Sequence, residues 1–598
     1  MDKIKTHTIL CNYPEYNCKG DELKLNLWGS EKQNVNPKIE VLKDFFSGKI
    51  PDRFIDFIEI ATYLYCADQM VKRCEKLTDP HGLRWRRKFN FIIAIRDTKF
   101  WNQKDVIDTL IRTFRFISDD QFVFSFKELT EQPPEQLYFD YLNGNPDKNK
   151  PQEVMLFSGG LDSLGGAIQE LIADGKHIVL VRHKSSNNYA NRYQRLENEL
   201  LEKCKKNPPT FINVMINKDK SLTKEYTQRS RSFLYFSLGS TIAYMLGLDR
   251  VRFYENGPVS INLPVCQQVI GGRATRTTHP RVLNDFQRLI SLIAERKIEV
   301  ENPFLLKTKT EVIKSIVDNG CEDLIKLSNS CAHSWQQSNA VGHCGVCSQC
   351  IDRRFAFIAG RYEELEEDNA YKIDFLQESL STAEFFDDDD KIMLTSYVER
   401  GLKIHDMEQN DFEKAFPELN RAIMYMKNDE RTAAANIFRL HKRHAVDVNN
   451  VVDIILDRYK EQIKKDLLPA DSLPRIIADN VTYAIEKAKE TPIIEKKQMG
   501  RSVVWIVNSE PKTMKYGSRS VQYKILDILC EQYKFKAGKT PHSVFQHKLS
   551  WNNDKYFGNG IDDPGSMVRR LSDLRNELGI EFDNDRKEGI EIIGLVKS

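Results

Sequence analysis

Two short stretches of this 598-residue chain carry residue types whose spacing can do chemistry. The first is Ser158-Gly159-Gly160-Leu161-Asp162-Ser163, set between the apolar run VMLF and the sequence LGGA. A buried strand that enters a helix through two glycines brings backbone N–H groups close to a ligand, and the positive end of the helix favours an anion there. Ser158 and Ser163 add hydroxyl donors. Asp162 would be repelled by a bare phosphate, so its position implies a Mg²⁺ ion bridging carboxylate and phosphate oxygens. The same residues also make an ordinary capped Gly-Gly turn, common at helix starts. The Gly-x4-Gly-Lys-Ser/Thr pattern is missing here, which disfavours γ-phosphate hydrolysis of the motor or GTPase kind.

The second stretch holds Cys331, Cys344, Cys347 and Cys350, spaced C-x12-C-x2-C-x2-C. Two residues between ligands let one turn aim both thiolates at one ion, and four thiolates complete a closed, tetrahedral structural zinc site. An iron–sulfur cluster takes the same four ligands and stays open as the competitor. His333 and His343 stand near enough to replace a cysteine. The other eight cysteines are scattered and read as small packed side chains.

These groups need elements to position them. From Glu153 to about Gly360, short apolar runs suited to buried strands (154–157, 177–181, 211–216 and 251–254) alternate with helical stretches at Ser163–Ala173, Tyr189–Lys203 and Arg231–Leu246. That alternation predicts a doubly wound parallel sheet, with ligands at the carboxyl ends of its strands. Residues 1–142 read as an α/β accessory unit, with strands at 88–96 and 121–129 and helices at Pro51–Lys72 and Asp105–Phe116; 143–152 is a polar linker. Residues 361–500 read as helical, interrupted by a solvated acidic loop at Asp387–Asp390. Residues 501–598 have winged-helix grammar, three helical patterns followed by a two-stranded turn at 580–595.

Composition narrows the function classes. The 88 basic and 86 acidic residues nearly cancel, so no global field argues for a nucleic-acid or membrane surface. No run is long and apolar enough to span a bilayer, and MDKIKTHTILCNYPEYNC lacks a signal-peptide core, which together predict a cytoplasmic protein. In that compartment the twelve cysteines are not a disulfide framework.

The loop SGGLDS after a strand resembles the PP-loop of N-type ATP pyrophosphatases. Adding Asn302-Pro303-Phe304, Lys307-Thr308-Lys309, and the cysteine set followed by Asp352-Arg353-Arg354-Phe355-Ala356, residues 153–360 resemble 7-cyano-7-deazaguanine synthase, the QueC family. The resemblance implies ATP, Mg²⁺ and Zn²⁺ as cofactors and adenylation of 7-carboxy-7-deazaguanine. In that family ammonia captures the acyl group and the amide is dehydrated to the nitrile. It implies Asp162, Ser163, Arg231 and Lys309 as catalytic, residues 158–163 as the nucleotide loop and the four cysteines as zinc ligands. Departures fall on the substrate side: Arg182-His183-Lys184-Ser185-Ser186-Asn187 stands where the family has an aromatic-Gly-Gln-Arg-His stretch, and Val265-Cys266 where it has Asp-Cys. The extra regions resemble the longer synthase-like proteins of bacterial antiphage defence, which implies a partner protein's amino terminus as acyl acceptor.

Other readings compete. PP-loop tRNA thiolation also adenylates but needs a cysteine free to carry sulfur. A DNA-binding regulator would use Arg569, Arg570 and Arg575 on the last helical pattern. Val568, Leu571, Leu574 and Leu578 define that helix's buried face, so a protein-interaction module is the preferred reading there and nucleic acid is not favoured.

Overall fold

Runs rich in β-branched and aromatic residues form the strands of this chain, and the helices between them turn apolar faces to the sheets. The structure, a computed structural model, describes residues 5–13, 22–29, 31–38, 49–73, 86–131, 151–183, 190–225, 229–265, 276–332, 342–382 and 388–479, with residue 571 and the strands 494–499, 502–507, 510–512, 580–585 and 589–595. They fall into two units, Met1–Pro474 and Arg475–Ser598.

The first unit opens with β1 (Thr6–Cys11), β2 (Leu23–Leu25), β3 (Val35–Lys38), α1 (Asp52–Met70), β4 (Lys88–Ile95), α2 (Lys104–Ser118) and β5 (Gln121–Glu128). Strands β2-β1-β4-β5 make a four-stranded parallel sheet. The chain continues through β6 (Glu153–Leu156), α3 (Leu161–Ile168), β7 (Ile178–His183), α4 (Ala190–Lys203), β8 (Thr210–Lys218), α5 (Arg231–Met245), β9 (Arg250–Arg252), α6 (Pro280–Ala294), β10 (Glu299–Glu301), α7 (Lys309–Asp318) and α8 (Ser348–Gly360). The second sheet runs β10-β9-β6-β7-β8-β3. Its first five strands are parallel, and β3 closes the edge antiparallel to β8 with Val35 opposite Lys218. The fold is thus mixed α/β with parallel sheets.

Alternate residues of this sheet enter two different cores. Val154 and Leu156 of β6 pack with α5 and α6, while Met155 and the following Phe157 pack with α3, α4, α7 and α8. The first core also takes in α1 and α2. Phe57 meets the rings of Phe233 and Phe236 edge-on at 5.5 and 5.6 Å, and Phe114 meets Phe233 at 4.7 Å. The described residues between 5 and 131 are therefore packed into the central sheet through α1, α2 and β3, while 143–150 of the expected linker lie outside the described residues. Strand order reverses at β6, between β7 on one side and β9 on the other, and that is where an open α/β sheet leaves a crevice at its carboxyl ends.

Beyond α8 come α9 (Asp388–His405) and α10 (Glu430–Arg458), packed round Phe412, Ile437 and Leu440. The acidic run expected as a loop instead starts α9 at Asp388, because carboxylates are favoured in a first helical turn. Asp387 lies outside the described residues. In the second unit β11 (Ile494–Met499), β12 (Ser502–Val507) and β13 (Glu510–Lys512) form an antiparallel sheet, and β14 (Ile580–Asp585) pairs antiparallel with β15 (Gly589–Leu595). Apart from Leu571, the three helical patterns expected there, with Arg569, Arg570 and Arg575, lie outside the described residues. Among the described residues no helix is long and apolar enough to cross a membrane.

Candidate functional site

The loop from Ser158 to Ser163 leaves β6 at the strand-order reversal. Gly159 has φ +76°, and a Cβ there would lie 2.2 Å from the Tyr193 ring, so both conformation and space require glycine. Gly160 caps α3, whose first residues are Leu161, Asp162 and Ser163. Gly160 N–H donates to Ser158 Oγ at 3.3 Å, Ser163 Oγ donates to the Gly160 carbonyl at 2.9 Å, and the two serine hydroxyls are 3.1 Å apart. Leu161 N–H donates to Ser330 Oγ at 3.2 Å, and Asn329 N–H to the Gly159 carbonyl at 2.9 Å. The segment before Cys331 is thus laid across the loop and shapes it.

Below the loop is a buried charge network. Lys309, the first residue of α7, lies 3.1 Å from Asp162 Oδ2 and 3.4 Å from Asp352 Oδ2 and is 2% exposed. Thr308 and Glu311 form a capping box that fixes where this lysine leaves the helix. Asn256 Nδ2 donates to Asp162 Oδ2 at 3.1 Å, and Glu255 hydrogen-bonds to the same buried carboxylate. Burial opposes the Lys309 charge, but Asp162, Asp352 and Glu255 outweigh it and hold the ammonium above the usual lysine range. Burial also opposes the Asp352 charge, yet Lys309, then His444 and Tyr397, bring its pKa down to about 2. Glu255 is pushed well above the usual carboxylate range by burial and then by Asp162. Asn302 clamps the Glu255 backbone, accepting from its N–H at 3.2 Å and donating to its carbonyl at 2.8 Å. On the far side Tyr397 OH donates to Asp352 Oδ1 at 3.0 Å and sits 2.9 Å from His444 Nε2, which joins α9 and α10 to the network.

Arg231 begins α5 beside this region. Its guanidinium lies 5.6 Å from the Tyr235 ring and 3.5 Å from that hydroxyl, with Tyr65 and Tyr193 also within electrostatic reach. Among the described residues no carboxylate pairs with it. The N-terminal residues hold its start in place: Asp68 of α1 accepts from Ser230 N–H at 3.1 Å and Ser230 Oγ at 3.0 Å, and Asp68 is itself paired with buried Arg87 at 2.5 Å. Arg182 lies 3.4 Å over the Tyr193 ring and pairs with Glu197 at 3.2 Å. Burial and the nearby Arg231 charge lower the His183 pKa to about 3, so that ring is neutral. Lys184–Asn187 and Cys266 lie outside the described residues. Lys307, of the motif that leads to Lys309, rests its ammonium 4.4 Å over the Phe304 ring.

The four clustered cysteines converge, with all four sulfurs within 4.8 Å of one another. Cys331 and Cys347 Sγ are 4.0 Å apart, Cys344 and Cys350 3.8 Å, and Cys347 and Cys350 3.4 Å. Zn–S bonds of about 2.3 Å in a tetrahedron set sulfurs about 3.8 Å apart, so the set can hold a zinc ion. Gly345 takes φ +95° in the turn between Cys344 and Cys347, and a Cβ there would stand 2.1 Å from the Ile373 carbonyl oxygen. His343 is outside the sulfur set. Its Nδ1–H donates to the Ala370 carbonyl at 3.3 Å and its Nε2 accepts from Ser330 N–H at 3.4 Å, while burial keeps it neutral. It braces the residue before Cys331. His333 lies outside the described residues.

Sequence reasoning singled out the loop, Arg231, Lys309 and the cysteines, and missed Glu255, Asn256, Ser330, Tyr397 and His444. Glu255 and Asn256 follow β9 at the carboxyl end of a parallel strand, a signal that could have found them. Nothing local marks Tyr397 and His444, which arrive from distant helices.

A family model described as QueC, queuosine biosynthesis protein QueC, matches residues 277–360. The matched stretch contains Lys309, the four cysteines and Asp352; the Ser158–Ser163 loop lies before it. No curated protein matches the chain. The match supports a QueC-like family, and with it a PP-loop enzyme that uses ATP.

Proposed function

We propose that this protein adenylates a carboxylate with ATP and passes the acyl group to an amine. The observation that carries the reading is Asp162: a buried carboxylate at the N-terminus of α3, held by Lys309 and Asn256 and with Glu255 hydrogen-bonded to it. That carboxylate suits a Mg²⁺ ion, which when bound would neutralise phosphate charge beside the loop. The Gly160 and Leu161 amides now bond to the replaceable hydroxyls of Ser158 and Ser330, and a phosphate would claim them. Ser158 and Ser163 would donate to its oxygens. Arg231, set among tyrosines and paired with no carboxylate among the described residues, suits the carboxylate of a planar heterocyclic acid. The QueC-like match favours 7-carboxy-7-deazaguanine as that acid.

In this reading a carboxylate oxygen attacks the α-phosphorus of ATP, and the P–O bond to pyrophosphate breaks as the acyl–phosphate bond forms. Arg231 orients the acid while the loop holds the phosphates. The amine then attacks the acyl carbon, the bond to AMP breaks, and the amine loses a proton to solvent. An α-amine with a pKa near 7.7–8.0 is far easier to deprotonate than a lysine near 10.4, which favours a polypeptide N-terminus over a side chain. We therefore take the acceptor to be a partner protein's amino terminus, in the setting of antiphage defence. The cysteine set would hold a structural zinc ion that keeps Asn329 and Ser330 on the loop.

The test supplies ATP, Mg²⁺, 7-carboxy-7-deazaguanine and candidate partner proteins, with and without ammonium. AMP and pyrophosphate are expected, lost on Asp162→Ala, together with an acyl mass on a partner's first residue. ADP as the main nucleotide product sinks the adenylation. Free nitrile with no mass added to any partner sinks the conjugation alone.

A further inference from the structure

The second feature lies between α2, the start of α6 and the short helix Asn420–Ile423, where a cleft of about 500 Å³ gathers five guanidinium groups, those of Arg112, Arg115, Arg276, Arg281 and Arg421. It shares no lining residue with the loop, the Asp162–Lys309 network or the cysteines. Two of the arginines are fixed by one ring. Arg276 and Arg281 carry their Cζ atoms 4.7 and 4.5 Å from the Phe116 centroid. Stacking of this kind holds a guanidinium in place and leaves its N–H edge free to donate. Arg276 is 8% exposed and donates to the Phe116 carbonyl at 3.0 Å, and Arg281 Nε is buried without a hydrogen-bond partner.

The charge is only partly answered. Asp285 pairs with Arg112 at 2.6 Å, Asp119 approaches Arg276 at 3.6 Å, and Asp108 is engaged by Lys104. Among the described residues no carboxylate forms an ion pair with Arg115, Arg281 or Arg421. His279, which caps α6 and meets Phe116 at 4.9 Å, registers the resulting field. Burial lowers its pKa to about 3, helped by Arg276, Arg281 and Arg421. Gathering cations in a partly buried cleft costs desolvation and mutual repulsion, which an anion would offset.

We infer that this cleft binds the phosphoryl group of a small phosphorylated molecule. Three features select that class. Guanidinium forks from different elements can each take two oxygens of a phosphoryl group, more than one carboxylate offers to several arginines at once. The volume is that of a small-ligand site. The chain's net charge of +2 gives no global field that would draw in a nucleic acid. Asp108 and Asp119 in the same lining add acceptors for hydroxyl groups, which favours a phosphate ester of a sugar or nucleoside over a bare inorganic anion.

The test titrates the full-length protein with ADP, ribose 5-phosphate and inorganic pyrophosphate at low salt, by calorimetry and by amide hydrogen exchange. Arg281→Gln and Arg421→Glu are compared with the unaltered chain; Arg421 is exposed, so its replacement should not disturb folding. The expected result is binding of at least one ester that protects amides of α2 and α6, weakens about tenfold or more in each variant, and persists in Asp162→Ala. That last arm separates this cleft from the loop, because failure of the nucleotide reading leaves it unchanged. Absence of binding by all three probes, or binding indifferent to both arginine replacements, overturns the inference. Binding of an oligonucleotide duplex where neither ester binds overturns it as well.

Discussion

Replacing Lys309 with methionine tests the buried network without relying on any catalytic assignment. Methionine keeps much of the side chain's length and apolar volume but removes the ammonium paired with Asp162 and Asp352, at 3.1 and 3.4 Å. Removing one partner of a buried ion pair costs about 3–5 kcal/mol, because the remaining charges stay desolvated. At about 2.1 cal/mol/K of unfolding entropy per residue, a unit the size of Met1–Pro474 loses roughly 1 °C per kcal/mol, so calorimetry should show Tm lower by roughly 3–5 °C. The pH dependence carries a sign. In the unaltered chain Asp352 sits at about 2, below its unfolded value near 3.9, so its contribution is complete above about pH 4 and is lost as pH falls toward 2. Without Lys309, burial raises the Asp352 pKa above the unfolded value, and the deficit is then largest at pH 7 and shrinks as pH falls toward 4. Adding Asp352→Asn removes one stranded charge and should recover about half of the loss. A loss under about 1 kcal/mol, or one identical at pH 7 and pH 5, would refute the reasoning.

Three further outcomes are expected. The purified protein should carry about one zinc per chain and little iron. Cys347→Ser should release the metal and expose the amides of Asn329 and Leu161 to hydrogen exchange; stoichiometric iron with visible absorbance would overturn the zinc reading. Gly159→Ala, which forces a Cβ against Tyr193 at positive φ, should lower stability by about 1–3 kcal/mol and weaken ATP binding, measured by calorimetry. Arg231→Met should leave ATP binding within about twofold while raising the KM for the carboxylate by about tenfold or more; equal losses for both ligands would remove Arg231 from the carboxylate site.

Much of the local chemistry was legible in the residues themselves. A glycine pair between an apolar strand and a helix announces a close backbone approach, because only glycine tolerates the conformation that Gly159 adopts. Cysteines two residues apart announce a shared ion, because one turn brings their sulfurs together. Strand and helix positions in residues 153–254 followed from apolar runs and their spacing, since burial on both faces of a parallel sheet leaves few other patterns. The start of α9 was misread, because a run of carboxylates looks solvated until its place at a helix N-terminus is known.

What the sequence determined by itself is therefore the set of groups that act within one turn or one loop: the glycine loop and the CxxC spacing. Tertiary structure alone decided which of these groups share a site. Lys309 meets Asp162 and Asp352 from three separate helices, Tyr397 and His444 reach Asp352 from two more, and Asp68 fixes the start of α5 from residues far earlier in the chain. The physical reason is that propensity and periodicity act over a few residues, whereas the pairing of buried charges depends on which faces pack together. That packing brought a lysine, three acidic side chains and the loop to the point where strand order reverses.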